Sequence, residues 1–152
     1  ALDAAEPFRS ACQDCGVSMV VKLPNVLPEV WVDPTRVSHI FANLFSNALK
    51  YTDPGGVITL SAEADGEFVR FSVSDTGKGI PERYLQTIFE QFFRIPGQES
   101  NSGAGLGLAI AKEIVEAHGG TITAESREAE GSTFTFSLRR FDRVFEDDTQ
   151  YD

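Results

Sequence analysis

The sequence predicts an α+β fold, a two-layer α/β sandwich with mixed or antiparallel strands on one side and three helices on the other. Three observations predict it. A strongly periodic helix follows Pro34, a hairpin of alternating strands follows that helix, and a second long helix precedes a closing pair of strands. The 152 residues fit one domain. A chain of this size buries roughly two-thirds of its unfolded surface, so it needs no metal or disulfide staple.

Residues 3–15 suit a helix stopped at Gly16, and Val17–Leu23 is rich in β-branched residues and reads as a strand. Pro24 and Pro28 bracket a loop, after which Val30–Val32 is a short extended piece. Val37, Ile40, Phe41, Leu44, Phe45, Ala48 and Leu49 then recur at helical spacing, behind Asp33 as N-cap and Pro34 in the first turn. Asp53-Pro54-Gly55-Gly56 ends that helix with a turn. Strands Val57–Ala64 and Glu67–Asp75 meet at Asp65-Gly66, a hairpin signal. A short helix is expected near Glu82–Phe93 within the Gly-, Ser-, Gln- and Asn-rich stretch 76–104. The second long helix covers about Leu106–His118 and stops at Gly119-Gly120. Strands Thr121–Ser126 and Ser132–Arg139 close the domain across a turn at Gly131.

The chain carries 23 Asp and Glu against 13 Lys and Arg, net −10, and 41% of its residues are hydrophobic. That acidity argues against nucleic acid, whose phosphates select clustered Lys and Arg. Residues 141–152 hold five acids and one Arg, net −4, which leaves −6 on residues 1–140 and marks an acidic C-terminal tail or linker. No apolar run approaches the ~18 residues of a membrane span, no secretory leader is recognised, and a cytoplasmic domain is expected. Cys12 and Cys15 form a C-x-x-C. A redox pair expects a strand before it and a helix after it, and a zinc site could add only His39 and His118. Two reduced cysteines on or beside the first helix are expected instead.

Three motifs carry chemistry. Asn43, Asn47 and Lys50 stand at i, i+4 and i+7, so they form one polar ridge on the periodic helix. Amide oxygens are hard ligands suited to Mg²⁺, which takes its remaining ligands from water and substrate phosphates. Val69, Phe71, Val73 and Asp75 alternate onto one strand face, so an apolar face ends in a carboxylate that needs a donor. Thr76-Gly77-Lys78-Gly79-Ile80-Pro81 follows directly, and its glycines let backbone approach a flat ligand closely; an adenine amine would supply Asp75 with its donor. Gly103-Ala104-Gly105-Leu106-Gly107-Leu108 opens the second long helix, where freed N–H groups make an anion site. It is neither a Rossmann fingerprint nor a Walker loop, since the third glycine comes one residue early and no Lys-Ser or Lys-Thr follows. Taken singly, each motif also fits an ordinary reading: a solvated helix face, an Asx-turn, a flexible link.

Together they resemble a known family. Asn43–Thr52 resembles the N box of sensor histidine kinases, and Asp75–Pro81 their first glycine box. Phe89-Glu90-Gln91-Phe92-Phe93-Arg94 is similar to the F box, Gly103–Ile110 to the second glycine box, and Gly131-Ser132-Thr133-Phe134 to the last. Glu116–Gly120 is also similar to a stretch of these kinases, and the boxes stand in family order over about residues 33–138. The resemblance implies the Bergerat fold, with ATP held under a mobile lid at about 92–105 of a catalytic domain spanning 1–140.

It implies roles residue by residue. Asn43 and Asn47 would place Mg²⁺ and the phosphates, Lys50 would hold a phosphate, and Tyr51 would pack on the adenine. Asp75 would accept from the adenine amine, with Gly77, Gly79 and Ile80 shaping that pocket. Arg94 would reach the γ-phosphate, with Gln98 as a second contact there. Gly103, Gly105 and Gly107 would form the lid hinge and phosphate cradle beside Leu106 and Leu108. His39 is expected to be an ordinary surface residue, and His118 to sit as a cation at a helix C-terminus. Neither would be the phosphoacceptor, which belongs to a separate dimerisation domain.

The implied activity is ATP-dependent transfer to that histidine, then to an Asp of a response regulator. The implied partners are ATP or ADP, the chain's own acceptor domain and that regulator. The isolated domain is expected to be monomeric and the full-length protein homodimeric, with anchoring in an inner membrane open. The rivals are a Bergerat ATPase, an anti-sigma serine kinase, and a nucleotide-binding module without phosphotransfer. The ATPases use a water-activating Glu where this chain has Asn43, and the F box favours the histidine kinase over the serine kinase too.

Overall fold

The computed structural model describes residues 2–24, 30, 33–90, 107–127 and 130–140. The first half of the chain forms α1 (Leu2–Asp14), β1 (Ser18–Lys22), α2 (Pro34–Tyr51), β2 (Val57–Asp65) and β3 (Phe68–Asp75). A 3₁₀ turn at Glu82–Tyr84, α3 (Gly107–Ala117), β4 (Ile122–Arg127) and β5 (Gly131–Arg139) follow. The strands make one mixed sheet in the order β1-β2-β3-β5-β4. β1 runs parallel to β2, and every other pairing is antiparallel.

Alternation sorts the strands onto two faces. Ile58 and Leu60 of β2, Val69, Phe71 and Val73 of β3, and Phe134, Phe136 and Leu138 of β5 are buried. Against them lie Ile40, Phe41, Leu44, Phe45 and Ala48 of α2, with Ala111, Ile114 and Val115 of α3. Phe41 sits at the centre, its ring 5.2 Å from Phe136 and 5.6 Å from Phe71, both edge-on. The opposite face of the sheet is polar, with Ser72 paired to Thr135 and Ser74 to Thr133, each at 2.9 Å.

α2 begins as its sequence demands, with Asp33 Oδ1 accepting from Thr35 N at 2.9 Å. Several boundaries differ from expectation. The hairpin loop is Gly66-Glu67, because Asp65 pairs with Phe68 and leaves Gly66, at φ +61°, in the first loop position that primed turns reserve for such a residue. The expected helix near Glu82–Phe93 is one 3₁₀ turn followed by further turns through Phe89. Its hydrogen bonds mostly span three residues, and Thr87 Oγ1 donates to the Tyr84 carbonyl, competing with a regular helix. Ile88 is nonetheless buried, and the Phe89 ring lies 6.2 Å from Phe134. Val17 leaves the strand to serve the cap of α1, and Val30 bridges to Arg140. The expected lid and acidic tail lie outside the described residues. Among the described residues, no helix is long and apolar enough to cross a membrane.

Candidate nucleotide site

The apolar stripe of α2 packs on the sheet and fixes the rotation of the helix, which sets its polar ridge beside the stripe. Asn43 and Asn47 are half-buried and Lys50 is exposed. Asn43 faces the start of α3: a Cβ on Gly107 would lie 3.4 Å from Asn43 Oδ1. Glycine at 107 thus keeps that space open where the helix begins. Two amide oxygens one turn apart, beside the N–H groups of a helix start, form a donor set that fits a Mg²⁺–phosphate group. Among the described residues, no cluster of three or more His, Cys, Asp or Glu could hold a metal by itself. A cation here would therefore depend on amide and phosphate oxygens.

The C-terminal end of α2 meets the glycine loop after β3. The Tyr51 carbonyl accepts from Lys78 N at 3.2 Å. A Cβ at Gly77 would collide with that same carbonyl, so only glycine lets the loop lie this close. Thr76 ties the loop to the start of β2, with Val57 N donating to Thr76 Oγ1 at 2.9 Å and Thr76 N donating to the Val57 carbonyl at 3.1 Å. Half-buried Tyr51 stands at this junction, the Lys50 ammonium lying 5.8 Å from its ring centre. Gly79 and Ile80 are buried, and Ile80 N donates to Ser126 Oγ.

Asp75 ends the apolar face of β3, as its alternation required, and is only 7% exposed. It is not short of donors, contrary to expectation. Its Oδ1 accepts from Gly77 N at 2.9 Å, and the backbone N–H of Ser132 also serves the carboxylate. The Asx-turn and the buried carboxylate therefore coexist. Burial pushes the Asp75 carboxyl above the ordinary carboxylate range, against the opposing pull of those two amides. A buried acid so perturbed is a functional-site candidate.

Ser132 escaped the residue-by-residue reading. It lies opposite Asp75 in the β3–β5 register, is buried, and shares a hydrogen bond with Ser126 at 2.9 Å. Its signal was its place directly after Gly131 in a glycine box. Thr52 was missed too. Its Oγ1 is the one buried side-chain polar atom without a hydrogen bond among the described residues. Asn43, Asn47, Lys50, Tyr51, Asp75, Gly77, Gly79, Ile80, Gly107 and Leu108 have described positions, along α2, in the glycine loop and at the start of α3. Arg94, Gln98, Gly103, Gly105 and Leu106 lie outside the described residues. His39 is exposed. His118 stands at the end of α3, as expected, and both of its ring nitrogens are bonded. Its Nδ1 donates to the Ile114 carbonyl at 2.8 Å while its Nε2 accepts from Asp33 N at 3.3 Å. The ring thus ties the end of α3 to the N-cap of α2.

Residues 32–141 match the family described as histidine kinase-, DNA gyrase B-, and HSP90-like ATPase. The adaptive-response sensory kinase SasA of Synechococcus elongatus is 40% identical over 121 residues, which are 79% of this chain and 31% of SasA. The chain thus spans about a third of the length of that relative. The solved catalytic domain of the histidine kinase ThkA is 31% identical with a TM-score of 0.79, covering 91% of this chain and 89% of that one. Full-length ShkA, solved with AMPPNP, is 33% identical with a TM-score of 0.80 over 90% of this chain and 28% of its own. A structure of ThkA with the response regulator TrrA matches at 29% identity and a TM-score of 0.77, over 93% of this chain and 40% of that one. The mixed sheet under three helices, the boxes in their order, and this degree of likeness agree: the chain belongs to the histidine kinase-, DNA gyrase B- and HSP90-like ATPase family, as an ATP-binding catalytic domain of the sensor histidine kinase type.

Proposed function

We propose that this domain binds Mg·ATP and transfers the γ-phosphoryl to a histidine nitrogen on a separate dimerisation domain, for passage to an Asp of a response regulator. The observation that carries the nucleotide site is Asp75, a buried carboxylate beside a loop position that admits only glycine. Its carboxylate accepts from the exocyclic amine of adenine, and the face of Tyr51 packs on the base. Lys50 holds a phosphate. Asn43 and Asn47 would hold Mg²⁺ through their amide oxygens, and the metal would neutralise charge on the phosphates. By the resemblance, Arg94 would reach the γ-phosphate, and Gly103, Gly105 and Gly107 would form the lid hinge and phosphate cradle, with Leu106 and Leu108 as further ATP-binding residues.

Phosphoryl transfer asks for positioning and charge neutralisation more than for covalent chemistry from the protein. It also asks that water be kept from attacking. An amide at position 43 cannot deprotonate a water as a carboxylate there could, so the residue at this position favours transfer over hydrolysis. Support for a histidine acceptor and a regulator partner comes from the kinship with SasA, and from ThkA, whose complex with TrrA joins a histidine kinase to a response regulator.

The experiment uses γ-labelled ATP with the chain alone, and with an added helical-hairpin acceptor domain from a histidine kinase. Alone, the chain should take up no label, since exposed His39 lacks an acceptor setting and His118 is held at both ring nitrogens. With the acceptor domain, acid-labile phosphate should appear on its histidine. Release of free phosphate without label transfer would favour the ATPase reading, and binding without either reaction a nucleotide-holding module.

A further inference from the structure

The end of α1 brings two thiols into one tightened turn. Gly16, at φ +72°, donates through its N–H to the Gln13 carbonyl at 3.1 Å, and Val17 N donates to the Cys12 carbonyl at 2.8 Å. This pair of bonds is a Schellman cap, and Val17 and Cys12, its two apolar positions, are both buried in the core. Inside the cap, Cys15 N is shared between the carbonyls of Ala11 and Cys12, each at 3.1 Å. The second of these is a 3₁₀ bond. In a 3₁₀ turn, side chains three residues apart eclipse one another, whereas α-helical geometry would leave them rotated apart. One turn of helix also keeps the two Cα atoms within the ~4.4–6.8 Å that a disulfide spans.

Exposure divides the pair. Cys15 is exposed and Cys12 is 1% exposed, and both are free thiols. Burial pushes the Cys12 thiol up, Cys15 beside it pushes the same way, and Arg9 opposes them weakly. A buried, protonated thiol is a poor first attacker but can close a bond once a neighbouring sulfur has been activated. The expected ordinary pair of reduced cysteines therefore has the layout of an attacking and a resolving thiol.

We propose that Cys12 and Cys15 form an oxidisable dithiol that closes to an intramolecular disulfide across the last turn of α1, with Cys15 attacking and Cys12 resolving. The oxidant class is a low-molecular-weight disulfide. The Cys15 thiolate attacks one sulfur of that disulfide and releases one thiolate. The Cys12 thiol then gives up its proton and attacks Cys15 Sγ, releasing the second thiol. Two protein thiols become one disulfide, and the small disulfide is reduced to two thiols.

The site is also wired to the rest of the domain. The Gly16 carbonyl accepts from Gly55 N at 2.8 Å and Ser18 N donates to the Gly56 carbonyl at 3.0 Å, so the cap grips the turn that follows the nucleotide helix.

The test incubates the folded chain with glutathione disulfide, quenches with an alkylating agent and reads intact mass and peptide links. Wild type should pass through a glutathione adduct on Cys15 to a species lighter than the dithiol by the two thiol hydrogens, with Cys12 linked to Cys15. Cys12→Ala should halt at the Cys15 adduct. Cys15→Ser, a change at an exposed position, should leave Cys12 unmodified. The proposal is overturned if wild type halts at the Cys15 adduct with Cys12 alkylatable, joins two chains through Cys15, or fails to react. Reaction of Cys12 in the Cys15→Ser variant would likewise overturn the assigned order.

Discussion

Asp75 stands under two opposed demands: the proposed adenine contact asks for a charged acceptor, and the apolar end of β3 resists one. Its raised folded-state pKa means that the folded chain holds the proton more tightly than the unfolded chain. That contribution to stability is fully present below the unfolded carboxyl value and is lost as pH rises through the raised one. Asp75→Asn escapes the loss. Without nucleotide, the variant should melt above wild type at neutral pH, and the gap should close on acidification toward pH ~4. Differential scanning calorimetry across that range checks it. The same change should weaken ATP and adenosine alike by about 1.5–3 kcal/mol, roughly ten- to a hundredfold, because a charge-assisted bond becomes neutral. Lys50→Ala should differ in kind. A phosphate contact is blind to the base, so titration calorimetry should show ATP and ADP weakened while adenosine is unaffected. At this scale the sequence made the carboxylate legible through alternation. The Gly77 donor, local to an Asx-turn, was open to reading, but the Ser132 donor was hidden, because its amide arrives through a strand pairing 57 positions away in the register of Asp75 and Ser132.

The elements that were legible are those whose pattern is local. The stripe of α2, its Asp33 N-cap and its stop before Asp53-Pro54-Gly55-Gly56 all came through, because each depends on residues within a turn or two. The stretch 82–90 did not read correctly. Its apolar residues can mimic helical spacing, yet Thr87 bonds the Tyr84 carbonyl and the backbone settles into successive tight turns. Phe41 shows what α2 contributes to stability. It is 1% exposed and meets Phe71 and Phe136 edge-on. Phe41→Ala should lower the unfolding free energy by about 3–5 kcal/mol in urea titrations, through lost burial and the cavity left behind. A loss under about 1 kcal/mol would mean that α2 is not seated on the sheet as described.

For the whole molecule, the sandwich and its strand set were legible, but the order β1-β2-β3-β5-β4 was not. Insertion of β5 beside β3 rests on matching the buried faces of Val69, Phe71 and Val73 with those of Leu138, Phe136 and Phe134, which no local pattern encodes. That insertion is what delivers Ser132 to Asp75 and Gly131 to the backbone of the glycine loop, where a Cβ would meet the Asp75 carbonyl and Thr76 Cα. The proposed site is thus a product of topology as much as of motif, and ligand binding should stabilise the fold as one unit. The most direct measurement is thermal unfolding against Mg·ADP concentration. At a hundred times Kd, bound nucleotide should add about 2.7 kcal/mol to the unfolding free energy, with the melting temperature still climbing with the logarithm of concentration. An unchanged melting temperature at millimolar Mg·ADP would contradict the assignment of a nucleotide site to α2 and the glycine loop.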